Sequence, residues 1–345
     1  MKRFFKIFFS IIFLLAIGFC ALLGYLTITE YKPAKVEIIE QNITAPISAK
    51  NFNLMIWNIG YAGLDKDQDF FMDGGSMVNP TDKNKVLENM NVFIETIKKY
   101  SPDFLMLQEV DLSSKRSFFI NQKNMFDENL NLKSQFAFNF NTNYVPYPIP
   151  PIGKVKSGLY SASKYIPTIS QRISLPVPFK YPVRLANLKR CLLMNEFQLT
   201  NGKKLTLINL HLEAYDDGSG KKAQTEALLS IFNEEFEKGN YVIAGGDWNQ
   251  YLNNFNSDGI PSNIWTSKQL DLGEDGKKFN LVSDSTAPTY RVNNKPYIKG
   301  SESTIIGVID GFLVTPNIKV NQIKTIDLDF ENSDHNPILL KVSLE

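Results

Sequence analysis

The hydropathy pattern divides the chain into two unlike parts. From Ile7 to Ile28 no residue is charged and most are apolar; Lys2, Arg3 and Lys6 precede the run, and Glu30 is the first acid after it. A helix crossing a bilayer needs about 20 such residues, and basic residues ahead of it favour a cytoplasmic N-terminus. The pattern predicts a single-pass membrane anchor over residues 1–29, with the rest of the chain outside the cytoplasm. A signal segment, cleaved to give a secreted protein, is the alternative. Its apolar region is normally about 7–15 residues and ends in small residues, whereas this run is longer and no such site is clear after it. Residues 30–50 hold Pro33 and Pro46 without strong periodicity and read as a tether.

Beyond residue 50, short apolar runs alternate with amphipathic stretches. Asn53–Asn58 and Phe104–Leu107 read as buried strands, with a third over Ser157–Ser161. Val86, Met90, Phe93, Ile94 and Ile97 fall at helical spacing, with Thr81 as the expected cap and Ser101-Pro102 as the stop. Leu192–Leu199 and Leu205–Leu210 flank Asn201-Gly202, a hairpin signal. A second helix runs from Ala223 to Phe236 and stops at Gly239. Tyr241–Ala244, Gly307–Val314 and Ile338–Val342 complete the predicted strands. These elements predict one layered α/β domain over 51–345, with mostly antiparallel sheets and a few covering helices.

Composition narrows the chemistry. Two cysteines in 345 residues exclude a disulfide scaffold and a Cys-rich zinc site, and two histidines leave little room for a three-histidine metal centre. The net charge of +1 hides an asymmetry: the first 50 residues hold six basic and three acidic residues, which leaves 31 and 33 for the remainder, a net of −2. A domain binding nucleic acid non-specifically is usually strongly basic. Lys154, Lys156, Lys180, Arg184, Lys189 and Arg190 form at most a local patch, read mainly as solvated surface.

Several polar residues share a position at or just beyond the end of an apolar run: Asn58, Glu109, His211, Asp247 with Asn249, and Asp334 with His335. Asp310 lies inside such a run, where a carboxylate is costly unless paired. Strand ends are where a scaffold presents side chains to a cleft. Alternation puts Asp247 and Asn249 on one face and His211 beside Asn209. Carboxylates with Asn are hard oxygen ligands suited to Mg²⁺, Mn²⁺ or Ca²⁺. A histidine held by a carboxylate is a general acid or base, and a second histidine can stabilise developing charge. One divalent ion, a held water and two histidines suit phosphoester hydrolysis.

The ordered series Trp57-Asn58, Gln108-Glu109-Val110, Ser157-Gly158-Leu159, Asn209-Leu210-His211-Leu212, Gly246-Asp247-Trp248-Asn249, Ile309-Asp310 and Ser333-Asp334-His335-Asn336-Pro337 resembles the endonuclease/exonuclease/phosphatase superfamily. It is most similar to the branch of DNase I, bacterial sphingomyelinases and inositol polyphosphate phosphatases. The resemblance implies a four-layered α/β/β/α sandwich of DNase I type and Mg²⁺-dependent hydrolysis. It implies metal ligation by Glu109, Asn58 and Asp334, water activation by Asp247, and a phosphate contact from Asn249. It further implies transition-state stabilisation by His211, and a base or charge stabiliser in His335 oriented by Asp310. Whether Asp247 or His335 takes the proton stays open. Trp248 and Leu210 depart from the commoner Phe or Leu and Thr, without removing a reacting group.

The function expected is a membrane-anchored, extracytoplasmic phosphodiesterase of nuclease-like type. The substrate remains open between nucleic acid, a phospholipid cleaved as by a sphingomyelinase, and a soluble phosphate ester cleaved by a phosphomonoesterase. An inactive binding module of the same fold is the remaining reading. The bilayer is the expected partner, and no obligate protein partner is evident. Asp73, in the segment Asp65–Pro80, and Ser157 are expected to contact substrate. Asp65, Asp67 and Asp69 have EF-hand-like spacing, but the sixth-position Gly is missing and Ser76 stands where the bidentate Glu belongs. The aromatic, Pro-rich stretch Tyr144–Pro151 is a candidate lipid-contacting loop.

Overall fold

A computed structural model describes residues 1–80, 82–256, 260–301 and 303–345. In chain order the elements are α1 (Lys2–Ile28), β1 (Val36–Gln41), β2 (Asn51–Asn58), α2 (Lys83–Tyr100), β3 (Phe104–Asp111), α3 (Gln122–Asn129), β4 (Lys133–Val145), β5 (Gly153–Ser163), β6 (Ile169–Ser174), β7 (Cys191–Gln198), β8 (Lys204–His211), α4 (Ser219–Glu237), β9 (Tyr241–Asp247), β10 (Asn280–Val282), β11 (Tyr290–Arg291), β12 (Ile306–Gly307), β13 (Asp310–Val314), β14 (Ile318–Thr325) and β15 (Ile338–Leu344).

Two large sheets form the centre, in the orders β1-β6-β7-β8-β9-β13-β10 and β14-β15-β2-β3-β5-β4. Only β2–β3 and β8–β9 pair in parallel among these neighbours. Alternation sorts each strand's residues between two faces. On β2, Phe52, Leu54 and Ile56 face the other sheet and meet Leu205, Leu207, Ile243 and Phe312 in the central core. Met55 and Trp57 point the opposite way, onto Met90, Phe93 and Ile97 of α2. On the far side Ile208, Leu210 and Val242 pack against Leu228 and Phe232 of α4. The layers are therefore helix, sheet, sheet, helix, as the resemblance implied.

The inter-sheet face stays apolar until the strands reach one end, and there it turns polar. Asn58 continues the row of Phe52, Leu54 and Ile56, and His211 that of Leu205 and Leu207. Asp247 continues the row of Ile243 and Gly245, and Asp310 that of Phe312 and Val314. Behind this end a buried polar rivet joins the sheets: Gln108 Nε2 donates to Asn209 Oδ1 at 2.7 Å, and Asn209 Nδ2 donates to the Leu107 and Tyr160 carbonyls.

Three expectations need revision. The stretch 30–50 is no free tether, because β1 adds an edge strand to the seven-stranded sheet through β6, and Ile47 bridges Leu199. Alternate apolar residues in Val36-Glu37-Ile38 were enough to pair, too few to stand out as a period. Thr81 lies outside the described residues; α2 is capped by Asp82, whose carboxylate accepts from the Asn84 amide at 2.8 Å. Strands β4, β6 and β14 were not predicted. Half or more of β14 is solvated, and such edge strands carry little hydrophobic pattern.

Candidate active site

Register brings the chemistry together before any side chain is considered. Asp247 on β9 pairs with His211 on β8 and with Asp310 on β13, so three functional residues sit side by side on adjacent strands. The parallel approach of β8 and β9 depends on Gly246, at φ +144°, where a Cβ would lie 2.1 Å from the Leu210 carbonyl oxygen. The other sheet supplies Asn58 from the end of β2 and Glu109 from β3. Glu109 sits at a register shift in the β3–β5 pair with φ +57°. A bulge of this kind re-aims a side chain, and a left-handed Glu costs on the order of 1 kcal/mol that the surrounding structure must offset.

Asp247 is the meeting point. Its Oδ2 accepts from Asn58 Nδ2 at 2.9 Å and lies 3.4 Å from His211 Nε2 and 3.7 Å from His335 Nε2. Its Oδ1 accepts from the Asn249 amide at 2.8 Å. His335 Nδ1 lies 2.9 Å from Asp310 Oδ2. The His335 loop is fixed by Trp57 Nε1 donating to the His335 carbonyl at 2.8 Å and by Ser333 Oγ donating to the Asn58 carbonyl at 2.9 Å. Asn249 Nδ2 donates one hydrogen to the Leu212 carbonyl.

A second carboxylate group adjoins the first. Glu109 Oε1 is 3.5 Å from Asn58 Nδ2. Asp334 Oδ2 accepts from Asn293 Nδ2 at 2.6 Å. Gly60, at φ +48°, gives Asp334 its space: a Cβ there would lie 2.7 Å from Oδ1. Asp73 is buried beneath, its Oδ1 accepting from the Tyr215 hydroxyl at 2.8 Å and its Oδ2 from the Asn293 amide and side chain. Asn293 thus couples Asp73 to Asp334. Asp65, Asp67 and Asp69 form no calcium loop; Asp65 accepts from Asn89 and the Asp67 amide, and Asp69 from the Ser76 and Met77 amides.

Burial and charge separate the ionisable groups. Burial, then the nearby Arg190 charge, holds the His211 pKa well below its ordinary value, so this imidazole is neutral. Burial alone would lower His335 too, but Asp310, Asp247 and Asp334 raise it, so this imidazole is the cation. Burial raises Asp247, with His335 opposing. Glu109 is raised by burial and by Asp334, with Arg116 opposing. Asp73 is raised by burial to about 6 despite its hydrogen bonds from Tyr215 and Asn293. Two titratable groups pushed apart by their surroundings mark an acid–base division of labour.

Asn58, Asp73, Glu109, Ser157, His211, Asp247, Asn249, Asp334 and His335 all line one cavity of about 620 Å³, and Asp310 lies behind His335. Two arginines join them. Arg116 reaches Glu109 at 3.3 Å and Asp111 at 3.1 Å, donates to Ser157 Oγ at 3.1 Å and lies 3.8 Å over the Tyr61 ring. Ser157 is therefore buried and tied to Arg116. Arg190, read as solvated surface, is instead 3% exposed, with Nη1 donating to the His211 carbonyl and Nε 3.6 Å from Glu213. Lys189 beside it is also buried. Arg190 directly precedes the apolar run of β7, so the strand-end rule that selected the other residues would have found it; Arg116 lies in a short turn with no such signal.

The carboxylate oxygens of Glu109 and Asp334 fit a divalent cation; Asn58 turns Nδ2 toward Glu109 and Asp247, with Oδ1 accepting from the Gly60 amide at 3.1 Å, so it would ligate only with its amide turned. Asp334 helps raise Glu109, and Gly60 leaves room at Asp334 Oδ1, an arrangement that favours a positive charge beside the two carboxylates. Asp247, Asp310 and His335 also lie close enough to share an ion. Asp310 is already bonded to His335 Nδ1, so that trio reads better as a proton relay than as a metal cage.

Comparison with known proteins agrees with the architecture. Residues 55–335 match the family model of the Endonuclease/Exonuclease/phosphatase family. No curated protein sequence matches the chain. Among solved structures, an endonuclease/exonuclease/phosphatase from Beutenbergia cavernae is 16% identical, over 86% of this chain and 72% of that one, at a TM-score of 0.58. A functionally unknown conserved protein from Enterococcus faecalis is 16% identical, over 85% and 100%, at 0.55. D. rerio TDP2 complexed with single-strand DNA product is 14% identical, over 85% and 99%, at 0.51. At these identities the likeness is one of fold.

Proposed function

The chain belongs to the endonuclease/exonuclease/phosphatase family, and from that premise we propose that it is a metal-dependent phosphoester hydrolase, held to a membrane by α1 with its catalytic domain outside the cytoplasm. The observation that carries the reaction class is the convergence on Asp247. One carboxylate oxygen is approached by Asn58 and the charged His335 from the six-stranded sheet and by the neutral His211 from the seven-stranded sheet, next to a separate pair of carboxylates.

Glu109 and Asp334, with Asn58, would hold Mg²⁺; Mn²⁺ or Ca²⁺ would satisfy the same donors. The ion supplies charge stabilisation at the phosphoryl oxygens and lowers the cost of forming a nucleophile. Asp247, raised by burial, orients the attacking water and takes its proton. His335 already carries its proton, so it serves as donor and charge stabiliser, kept in orientation by Asp310. His211 offers a neutral N–H toward the pentacovalent centre, and Asn249 Nδ2, with one hydrogen on the Leu212 carbonyl, has its second hydrogen for a phosphate oxygen. Arg116 and Arg190 add positive charge at the cavity wall.

The test uses the full-length protein and bis(p-nitrophenyl) phosphate, with and without EDTA. His335→Ala and Glu109→Ala should each lower turnover by a factor on the order of 10²–10⁴ while leaving the circular dichroism spectrum unchanged. Full activity in either variant, or in EDTA, sinks the mechanism.

A further inference from the structure

The anchor helix does not stand apart from the catalytic domain. Its last turns carry Phe19, Leu22, Leu23 and Leu26 into the lining of the catalytic cavity, and Leu26 is 7% exposed. The residues just after α1 fix this placement. Glu30 has a side chain only 4% exposed, with Lys189 Nζ at 3.1 Å and Arg184 Nε at 3.6 Å. The next residue, Tyr31, meets Phe138 edge to face at 6.2 Å, with the Arg172 guanidinium 5.7 Å from its ring. The chain enters β1 at Val36. A helix locked at its exit by a buried ion pair, a ring contact and a strand presents the same side to the cavity throughout.

Beyond α1 the cavity lining is again largely apolar, and the turn Val183–Ala186 packs against α1 itself. Phe71 contacts the Tyr147 ring at 5.8 Å, and Phe179 and Val183 line the same space. Tyr147 is 69% exposed and Val183 60%. The lining includes Asn139 and Asn187, but most of it outside the carboxylate–histidine cluster is aliphatic and aromatic. The volume of about 620 Å³ falls within the range of roughly 300–1,000 Å³ for pockets that enclose a small ligand. A water-soluble phosphoester would leave these walls wet, and exposed apolar surface of this kind marks a site with an apolar occupant. The remainder of α1 is apolar and unburied. The slightly acidic balance of residues 51–345 disfavours a nucleic-acid occupant.

We propose that the last turns of α1 and the lining at Phe71, Phe179 and Val183 form a binding cavity for the acyl chain of a bilayer phospholipid, whose phosphoester reaches the carboxylate–histidine cluster. The assignment rests on the hydrolase and membrane readings of the chain and names their substrate class. α1 is then both anchor and part of the binding site. A lipid of the same leaflet moves laterally along the helix into the cavity without leaving an apolar environment.

The test uses full-length protein in nanodiscs of phosphatidylethanolamine and phosphatidylglycerol, doped with a phospholipid bearing a diazirine on its acyl chain. After irradiation, mass spectrometry should locate adducts at Phe179 and Val183, residues of the folded domain. The His335→Ala protein should keep these adducts, since binding precedes turnover. Leu22→Trp/Leu23→Trp, which fills the cavity while remaining apolar, should reduce them about tenfold, and Val183→Trp should do the same from the turn beside α1. The ratio of nanodisc-lipid to bis(p-nitrophenyl) phosphate turnover should fall about tenfold in both variants. Adducts confined to the outer face of α1, an unchanged ratio, or displacement of the adducts by a single-stranded oligonucleotide overturns the proposal. Cavity adducts in a protein that hydrolyses neither ester overturn the hydrolase reading and leave the acyl site standing.

Discussion

Asp73 illustrates how one buried side chain ties stability to the site. Its pKa is raised from its ordinary 3.8 to about 6 by burial, against the hydrogen bonds it accepts. A carboxyl raised on folding binds more protons in the native state between those two values. Its contribution is fully present below pH 4 and is lost as pH rises through about 6. The loss is roughly 3 kcal/mol at about 1.4 kcal/mol per pH unit. Denaturant titrations at pH 4 and pH 7 should show wild type losing that much more stability than Asp73→Asn. Equal pH dependence would show that the carboxyl titrates normally. Asp310 makes a complementary prediction. Because it touches His335 Nδ1 and does not line the cavity, Asp310→Asn should cut kcat by a factor on the order of 10²–10⁴ with little change in KM. Most positions gathered in the cavity were legible in sequence because they interrupt or end an apolar strand, and such an interruption needs a reason; Asp73, in a short turn, was singled out only by its segment. Tyr215, Asn293 and Arg116 were not, because each acquires meaning from a partner distant in sequence, Asp73, Asp334 and Glu109.

Elements explain what the residue pattern could not. Core strands such as β2 and β9 announced themselves by continuous apolar runs, since both faces are covered. Strand β1 did not, and yet it closes the edge of β6. A chain beginning at Asn51 should therefore be less stable than one beginning at Glu30, by about 2 kcal/mol, or several degrees in Tm for a domain of this size. Coincident melting curves would show β1 to be dispensable. Gly246 is the sharper case. A methyl group there would meet the Leu210 carbonyl, a backbone atom that moves only if β8 and β9 separate beside His211 and Asp247. Gly246→Ala should cost more than about 2 kcal/mol and lower activity even in the fraction that folds, as measured by denaturation and by titrated active enzyme.

On the scale of the whole molecule, the sandwich explains why neither half is a site alone. Asn58 and Glu109 belong to one sheet, His211, Asp247 and Asp310 to the other, and Gln108–Asn209 fixes their spacing. α1 has 27 residues, a mean hydropathy of 2.7 over its most apolar window, and none of that window buried. Full-length protein should stay with membranes in carbonate extraction, and added protease should reach the catalytic domain in intact spheroplasts. A soluble product starting beyond Ile28 would instead mark signal cleavage. A helix long and apolar enough to span a bilayer was legible from composition alone. The contact of α1 with the catalytic cavity was not, because helical periodicity within a uniformly apolar stretch shows no preferred face.

The position of β15 has a consequence in time. It lies between β14 and β2, so the six-stranded sheet stays divided until residues 338–344 are in place, and His335 arrives with them. A polypeptide growing from its N-terminus acquires Asn58, Glu109, His211 and Asp247 in turn, and every intermediate length still lacks the imidazole that faces Asp247. Truncated chains that lack residues 334–344 should be inert toward phosphoesters, and adding the missing segment back as a peptide is the measurement that separates loss of His335 from loss of the sheet.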